Sequence, residues 1–306
     1  MSKILITPQG FYFVKSKVEE FFNKKHEYIF SGGMIDNKEK LIDLMADCRF
    51  AIVGSENIDH EVIDAAKNLE LIVRFGTSTE NIDKDYLDKK NIKLFTIKSP
   101  HTIDGVARLC SSFALSYIFN VNKHMYDSSK GLWKRYMNLD PANISIGLIG
   151  GGDIASRFYD FGSSLGFNFN YHSRKEKIQF SNNDINFFNE IQDLIKASHI
   201  ISIHLPYNKE TQNLISQDEL SLFENKMLIN TSRAGIICKE ALFNSLNNLS
   251  NFYYFTDVLH TEPPTQDDIN LMKHKNVFST AHIGGYSESA LIDVALKSLK
   301  IIENEI

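Results

Sequence analysis

Cysteine is scarce in this chain: the three residues Cys48, Cys110 and Cys238 are odd in number, far apart and set among apolar neighbours. That arrangement excludes a disulfide framework and suits a reducing compartment, so a cytoplasmic location is expected, with the thiols serving as packing groups. Long apolar runs are also missing. None approaches the roughly 18–20 residues needed to span a bilayer, so no membrane partner is expected. Residues 1–8 carry one lysine and a very short apolar stretch, which makes a poor signal peptide and a better first strand. Positive charge is not in excess, with 33 Lys and Arg against 38 Asp and Glu, and the net charge of −5 offers no basic face for nucleic acid. Close His, Cys or carboxylate pairs with zinc-type spacing are lacking, so no metal is expected. Repeats, low-complexity tracts and Pro/Gly linkers are lacking too. What remains is an ordinary globular composition of 306 residues. At about 150 residues per domain, that length predicts two domains.

Apolar runs recur at 4–7, 50–53, 71–73, 93–97, 144–149, 167–171, 200–204, 227–230, 253–258 and 277–279, with helical segments between them. This alternation predicts an α/β fold of parallel sheets covered by helices. Leu41, Leu44 and Met45 share a helical face within 39–48, and Asp59-His60 before Val62-Ile63 marks a helix start. A long helix is expected over 105–125, with Val106, Leu109, Phe113, Ser116 and Tyr117 on its packing face, and an amphipathic one over 288–304.

The sharpest local signal is Ile144-Ser145-Ile146-Gly147-Leu148-Ile149-Gly150-Gly151-Gly152-Asp153-Ile154-Ala155, a strand, a glycine turn and a helix start. Gly150, Gly152 and Ala155 fit the G-x-G-x-x-A pattern of dinucleotide binding. The glycines permit the tight turn and the close approach of a pyrophosphate, held by N–H groups at the helix start. Ile154 would lie beside it, whereas Asp153 could repel the phosphates or cap the helix. In an NAD site the next strand ends in an acid that takes the ribose hydroxyls. Here it ends His172-Ser173-Arg174-Lys175, and a hydroxyl with a guanidinium suits a 2′-phosphate, so NADP(H) is favoured over NAD(H).

Three patches follow later strands: Asn230-Thr231-Ser232-Arg233-Ala234-Gly235, then Asp257-Val258-Leu259-His260-Thr261-Glu262-Pro263-Pro264, then Thr280-Ala281-His282-Ile283-Gly284-Gly285. In this order after the glycine turn they resemble the D-isomer-specific 2-hydroxyacid dehydrogenases. The resemblance extends to Val73-Arg74-Phe75-Gly76-Thr77 and onward to Asp83, to Gly131-Leu132-Trp133, and to His204-Leu205-Pro206 with Thr211. It implies two Rossmann-like or flavodoxin-like domains, a dinucleotide-binding domain at 100–285 inserted into a substrate domain of 1–99 plus 286–306. It also implies a homodimer, through residues 105–136 and the cofactor domain.

The chemistry accounts for the residue types. Reduction of a 2-keto acid needs a proton for the forming alkoxide and a cation for the carboxylate and carbonyl. His282 would be the acid and base, Glu262 would hold its ring and favour the charged form, and Arg233 would bind the anionic substrate through its planar fork. The resemblance puts Asp257 near the nicotinamide carboxamide, and His204, Pro206, Thr211 and Thr231 on the cofactor. It sets Arg74, Phe75, Gly76 and Thr77 against the substrate. The chain departs from the family at Arg108, where an acid is usual, at Asp153, where Arg is usual, and at Ser78 and Ala155, where Gly is usual. Arg108 is open to two uses, recognition of an extra acidic group or an interdomain ion pair. Arg74 leaves a phosphoglycerate dehydrogenase-like enzyme as an alternative to a glyoxylate or hydroxypyruvate reductase. A dinucleotide-sensing, corepressor-like protein is a third possibility.

Overall fold

Ile4-Leu5-Ile6, Phe50-Ala51-Ile52-Val53 and Met227-Leu228-Ile229 are apolar at every position rather than at alternate ones. Such strands are stable only where both faces of a sheet are covered, which in parallel sheets is done by crossover helices. The computed structural model, which describes residues 1–32, 35, 37–177, 180 and 185–305, has that arrangement twice. One unit is Met1–Thr102 with Gly285–Ile306, and the other is Ile103–Gly284.

The first unit holds β1 (Ser2–Ile6), β2 (His26–Phe30), β3 (Phe50–Val53), β4 (Leu71–Arg74) and β5 (Lys93–Thr96). All are parallel, in the order β2-β1-β3-β4-β5. Alternate residues enter opposite clusters. Ile4, Ile6, Phe50 and Ile52 pack with Leu291, Val294 and Leu299 of the helix Glu288–Asn304, whereas Leu5, Ala51 and Val53 pack with Leu41, Met45, Val62 and Ile63. Asp59 caps the helix His60–Ala65 by accepting from the N–H groups of Glu61 and Val62.

The second unit holds β6 (Ser145–Ile149), β7 (Asn168–His172), β8 (Ile185–Phe188), β9 (Ile200–Ile203), β10 (Met227–Asn230), β11 (Tyr253–Thr256) and β12 (Val277–Ser279). These are also parallel, in the order β12-β11-β10-β9-β6-β7-β8. The order reverses between β6 and β9, the place where open α/β sheets take their ligands. No described helix is long and apolar enough to cross a membrane.

Two strands lie outside the sequence expectation, β2 and β8, and both are sheet edges. An edge needs less apolar content, and His26-Glu27-Tyr28 and Asn186 dilute the signal accordingly. The single helix expected over 105–125 is two, Pro100–Ile118 and Val121–Ser129, separated at Asn120 with φ 50°. Asn is one of the few residues that tolerates this left-handed conformation, so an apolar periodicity that continues across it does not reveal the break.

In the helix Asp153–Ser164, Gly162 faces Phe169 so closely that an added Cβ would lie 2.4 Å from the ring's Cζ. The ring is wedged edge-on between Phe158 and Tyr159, with centroids at 5.6 and 5.3 Å. Gly162→Ala should therefore destabilise the protein: overpacking costs about 1–3 kcal/mol and outweighs the gain of about 1 kcal/mol in helix propensity. The urea unfolding midpoint measures it, and an unchanged midpoint would mean that Phe169 can move aside.

Candidate active site

The turn after β6 is built for close approach. Gly150 has φ 108°, its N–H donates to the His172 carbonyl at 2.8 Å, and a Cβ there would lie 2.3 Å from the His204 carbonyl oxygen. Only glycine fits. Gly152 begins the helix Asp153–Ser164, has open space where a Cβ would be, and no side chain caps the helix. Ala155 is fully buried, Ile154 is half-buried and Asp153 is exposed in the first turn. The first-turn N–H groups of such a helix are a ready anion site. Lys177 lies over this turn, since a Cβ on Gly151 would come within 2.7 Å of its Cγ and 3.4 Å of its Cε.

At the end of β7 the Ser173 hydroxyl donates to the Lys175 carbonyl at 2.5 Å, closing its own turn, and the residue is 8% exposed. The hydroxyl hydrogen expected to meet a phosphate is thus already given to the backbone. Arg174 extends into solvent and pairs with Glu210 at 3.2 Å, reaching the loop that follows β9. In that loop the Thr211 hydroxyl donates to the Pro206 carbonyl at 2.7 Å, and the half-buried His204 packs its ring 5.9 Å from the Phe158 ring. Neither ring nitrogen of His204 has a hydrogen-bond partner. Burial pushes its pKa down to about 3, so the ring is neutral at ordinary pH. Thr231 is almost buried, with Oγ1 3.3 Å from Cys110 Sγ. An orphaned buried imidazole, a cradle left open at Gly152 and an uncapped helix start together fit a dinucleotide.

The loops after β10, β11 and β12 carry the groups expected to do the chemistry. Asn230, fully buried, donates its amide to the Arg233 carbonyl at 3.0 Å and accepts from the Ser232 N–H at 3.0 Å. The Ser232 hydroxyl donates to the Ile203 carbonyl at 2.8 Å, and Arg233 Nη1 donates to the Ser232 carbonyl at 2.6 Å. Asp257, 2% exposed, accepts from Thr280 Oγ1 at 2.5 Å, the Ile283 N–H at 2.7 Å and the Gly284 N–H at 2.8 Å. Those three bonds hold the loop in which His282 adopts φ 54°, a left-handed conformation. His282 Nδ1 lies 2.7 Å from Glu262 Oε2, and Glu262 Oε1 accepts from the Leu259 N–H at 3.1 Å. Burial disfavours the charged form of Glu262, but bonding and charge from His282, the Leu259 N–H and the Arg233 charge outweigh it and lower its pKa. With Nδ1 engaged, Nε2 is the nitrogen left for proton transfer.

The other expected group lies on the first unit, at the end of β4. Arg74 Nη1 donates to the Phe75 carbonyl at 2.6 Å, the Gly76 N–H donates to the Arg74 carbonyl at 2.8 Å with φ 143°, and Thr77 is exposed. Arg108 pairs with Asp104 of its own helix at 3.4 Å and lies over the Phe161 ring, all within the second unit. Sequence reasoning missed Asn230 and Thr280 as loop latches and Lys177 over the glycine turn. For Asn230 a signal existed, a polar side chain ending an otherwise apolar strand; Lys177 had none.

Residues 112–284 match the family model for the D-isomer specific 2-hydroxyacid dehydrogenase, NAD binding domain. The chain is 28% identical over 286 residues to D-3-phosphoglycerate dehydrogenase of Escherichia coli (strain K12), covering 90% of this chain and 69% of that one. It is 26% identical over 279 residues to hydroxypyruvate reductase of Thermotoga maritima, covering 88% of each. The fold is that of D-lactate dehydrogenase from Aquifex aeolicus, solved with NAD and lactic acid, with a TM-score of 0.83 at 20% identity over 98% of this chain and 94% of that one.

Asp257→Ala would leave three donors without their acceptor, which costs about 1–3 kcal/mol, and should free the 280–284 loop. Amide hydrogen exchange at Ile283 and Gly284 should accelerate to the rate of an open loop. Protection that survives the substitution would show that other contacts hold the loop.

Proposed function

Because the chain belongs to the D-isomer specific 2-hydroxyacid dehydrogenase family, we propose that Arg233, Glu262 and His282 perform its chemistry. It is an oxidoreductase that interconverts 2-hydroxy and 2-keto acids with a nicotinamide dinucleotide. The observation that carries the assignment is the Glu262–His282 pair, 2.7 Å apart, with His282 on a loop pinned by Asp257. Gly150, Gly152 and the helix start at Asp153 and Ile154 would hold the pyrophosphate, with His204, Pro206, Thr211 and Thr231 lining the same strand ends. Bound there, the nicotinamide supplies or accepts the hydride at the substrate's second carbon.

The protein's own groups manage charge and protons. Arg233 binds the carboxylate and the keto oxygen, drawing negative charge onto the oxygen as the carbonyl is reduced. His282, held by Glu262 through Nδ1, gives a proton from Nε2 to that oxygen, and recovers it in the oxidative direction. Asp257 acts as a positioning residue, because its acceptor bonds go to the loop. Phe75, Gly76 and Thr77 on the first unit take the substrate carboxylate through their backbone, with Arg74 beside them. The second unit thus carries Arg233 and His282 as well as the cofactor groups.

NADP(H) is the favoured cofactor. The residues directly after β7 are Ser173, Arg174 and Lys175, with no carboxylate before Glu176 to meet a ribose hydroxyl, and Lys177 lies over the glycine turn. Lys177 replaces Ser173 in this reading, since the Ser173 hydroxyl is engaged in its own turn. The exposed side chains of Phe119, Met125, Tyr126, Leu132, Trp133 and Met137 form an apolar segment that a second copy would cover, giving a homodimer. Two of the three free cysteines are buried, in keeping with a cytoplasmic enzyme.

A panel of glyoxylate, hydroxypyruvate, pyruvate and 2-ketoglutarate, followed by NADPH and NADH absorbance, tests the activity. At least one acid should be reduced, and His282→Ala should lower kcat by about a hundredfold or more. Tight dinucleotide binding without turnover of any acid would instead favour the corepressor-like alternative. For the cofactor, Arg174→Ala combined with Lys177→Ala should weaken NADPH binding about tenfold or more, with NADH binding little changed. Fluorescence titration reads both, and equal weakening of the two would overturn the preference.

A further inference from the structure

One carboxylate at the strand ends of the first unit has no cationic partner among the described residues. Glu56 is 8% exposed, and its Oε2 accepts from Thr7 Oγ1 at 2.8 Å and from the Gly54 N–H at 2.7 Å. Both donors are neutral. A carboxylate this buried loses much of its hydration, and without a cation the loss is only partly offset, which is a costly arrangement for packing alone.

Its place in the sheet gives the cost a use. Thr7 follows β1, Gly54 and Glu56 follow β3, and the order β2-β1-β3-β4-β5 reverses between β1 and β3. The carboxyl ends of strands at such a reversal are where ligands gather in open α/β sheets. Asn81, in the loop after β4, donates its amide to the carbonyls of Gly54 at 3.2 Å and Glu56 at 2.5 Å. The Phe75 N–H donates to the Val53 carbonyl at 2.9 Å. The segment that takes the substrate carboxylate and the segment that carries Glu56 are therefore neighbouring strand ends, cross-tied by hydrogen bonds. Glycine at 54 places no side chain beside the carboxylate, and Arg74 Nη1 is turned onto the Phe75 carbonyl.

We propose that Glu56 is a charge filter for the part of the substrate beyond its second carbon. It disfavours 2-keto acids that bear a second anionic group, phosphate or carboxylate, and admits those whose side chain is neutral or carries a hydroxyl. The inference rests on the reading of Phe75, Gly76 and Thr77 as carboxylate-binding residues. Like charges within one site, at an effective dielectric constant of about 20, lower binding by about tenfold to a hundredfold.

The test compares kcat/KM for hydroxypyruvate and 3-phosphohydroxypyruvate with the full chain and both nicotinamide cofactors. The wild type should prefer the unphosphorylated acid by about tenfold or more, and Glu56→Gln should raise the relative rate on the phosphorylated acid by about tenfold, with the change falling on KM. Gln keeps an oxygen to accept from Thr7 and Gly54, and an unchanged unfolding midpoint checks the fold. If the variant does not fold, the wild-type ratio decides alone. Equal use of both acids, or a preference for the phosphorylated one, overturns the filter while leaving the dehydrogenase reading in place. Turnover of neither acid nor any other 2-keto acid overturns both.

Discussion

The Asp257 carboxylate is the constraint on which the reactive end of the second unit depends. It is buried where β11 ends, and it collects a hydroxyl and two N–H groups from a loop that begins after β12, 23 to 27 residues further along the chain. His282 lies inside that loop in a left-handed conformation that costs a non-glycine residue about 1–2 kcal/mol. Charge-assisted hydrogen bonds of this kind are individually worth about that much, so three of them suffice to fix the strained backbone. Asn230 applies the same device one strand over, with its amide bonded on both sides to the turn that bears Arg233. Arg233 and His282, the side chains proposed for the chemistry, are thus each aimed by a different buried polar residue at a strand's carboxyl end.

Two histidines show how setting decides use. His204 is enclosed beside Phe158 without a hydrogen-bond partner, and burial keeps it neutral, with a pKa of about 3. It can exchange hydrogen bonds with a ligand but cannot act as an acid. His282 is half-exposed, and its Nδ1 faces a carboxylate that the Leu259 N–H holds in place. The carboxylate stays ionised because its own pKa is lowered despite burial. An imidazole so placed can carry a proton on one nitrogen while the other is anchored.

Most strands were legible as ten apolar runs, and those apolar at every position, such as 50–53, can only be covered on two sides. The edges β2 and β8 were not, since one neighbour fewer relaxes the demand for apolar residues. The helix break at Asn120 was hidden by a periodicity that runs through it. At the glycine turn the sequence pattern carried the geometry well, because G-x-G-x-x-A records steric facts: the His204 carbonyl excludes any side chain at position 150. Hydrogen-bond partners were harder to read. Ser173 looked available beside Arg174, yet its hydroxyl turns back onto Lys175, a choice made by local loop conformation. Lys177 gave no pattern at all, for its nearness to Gly151 depends on how the loop after β7 folds over a different strand's turn.

Net charge was the least informative number, and the structure explains why. A chain of net charge −5 repels an anionic dinucleotide and an anionic acid at long range, but screening confines that repulsion to about 8–10 Å at physiological salt. Inside that distance only the local arrangement matters. The loop after β7 gathers Arg174, Lys175 and Lys177, and the loop after β10 presents Arg233. At the carboxyl ends of β1 and β3 lies the buried carboxylate of Glu56, held by Thr7 and Gly54. On the proposed reading, attraction of the cofactor and selection among acids are separate problems, met on different sheets by charges of opposite sign. Exchanging Glu56 for a cation would, on that reading, keep the first and lose the second.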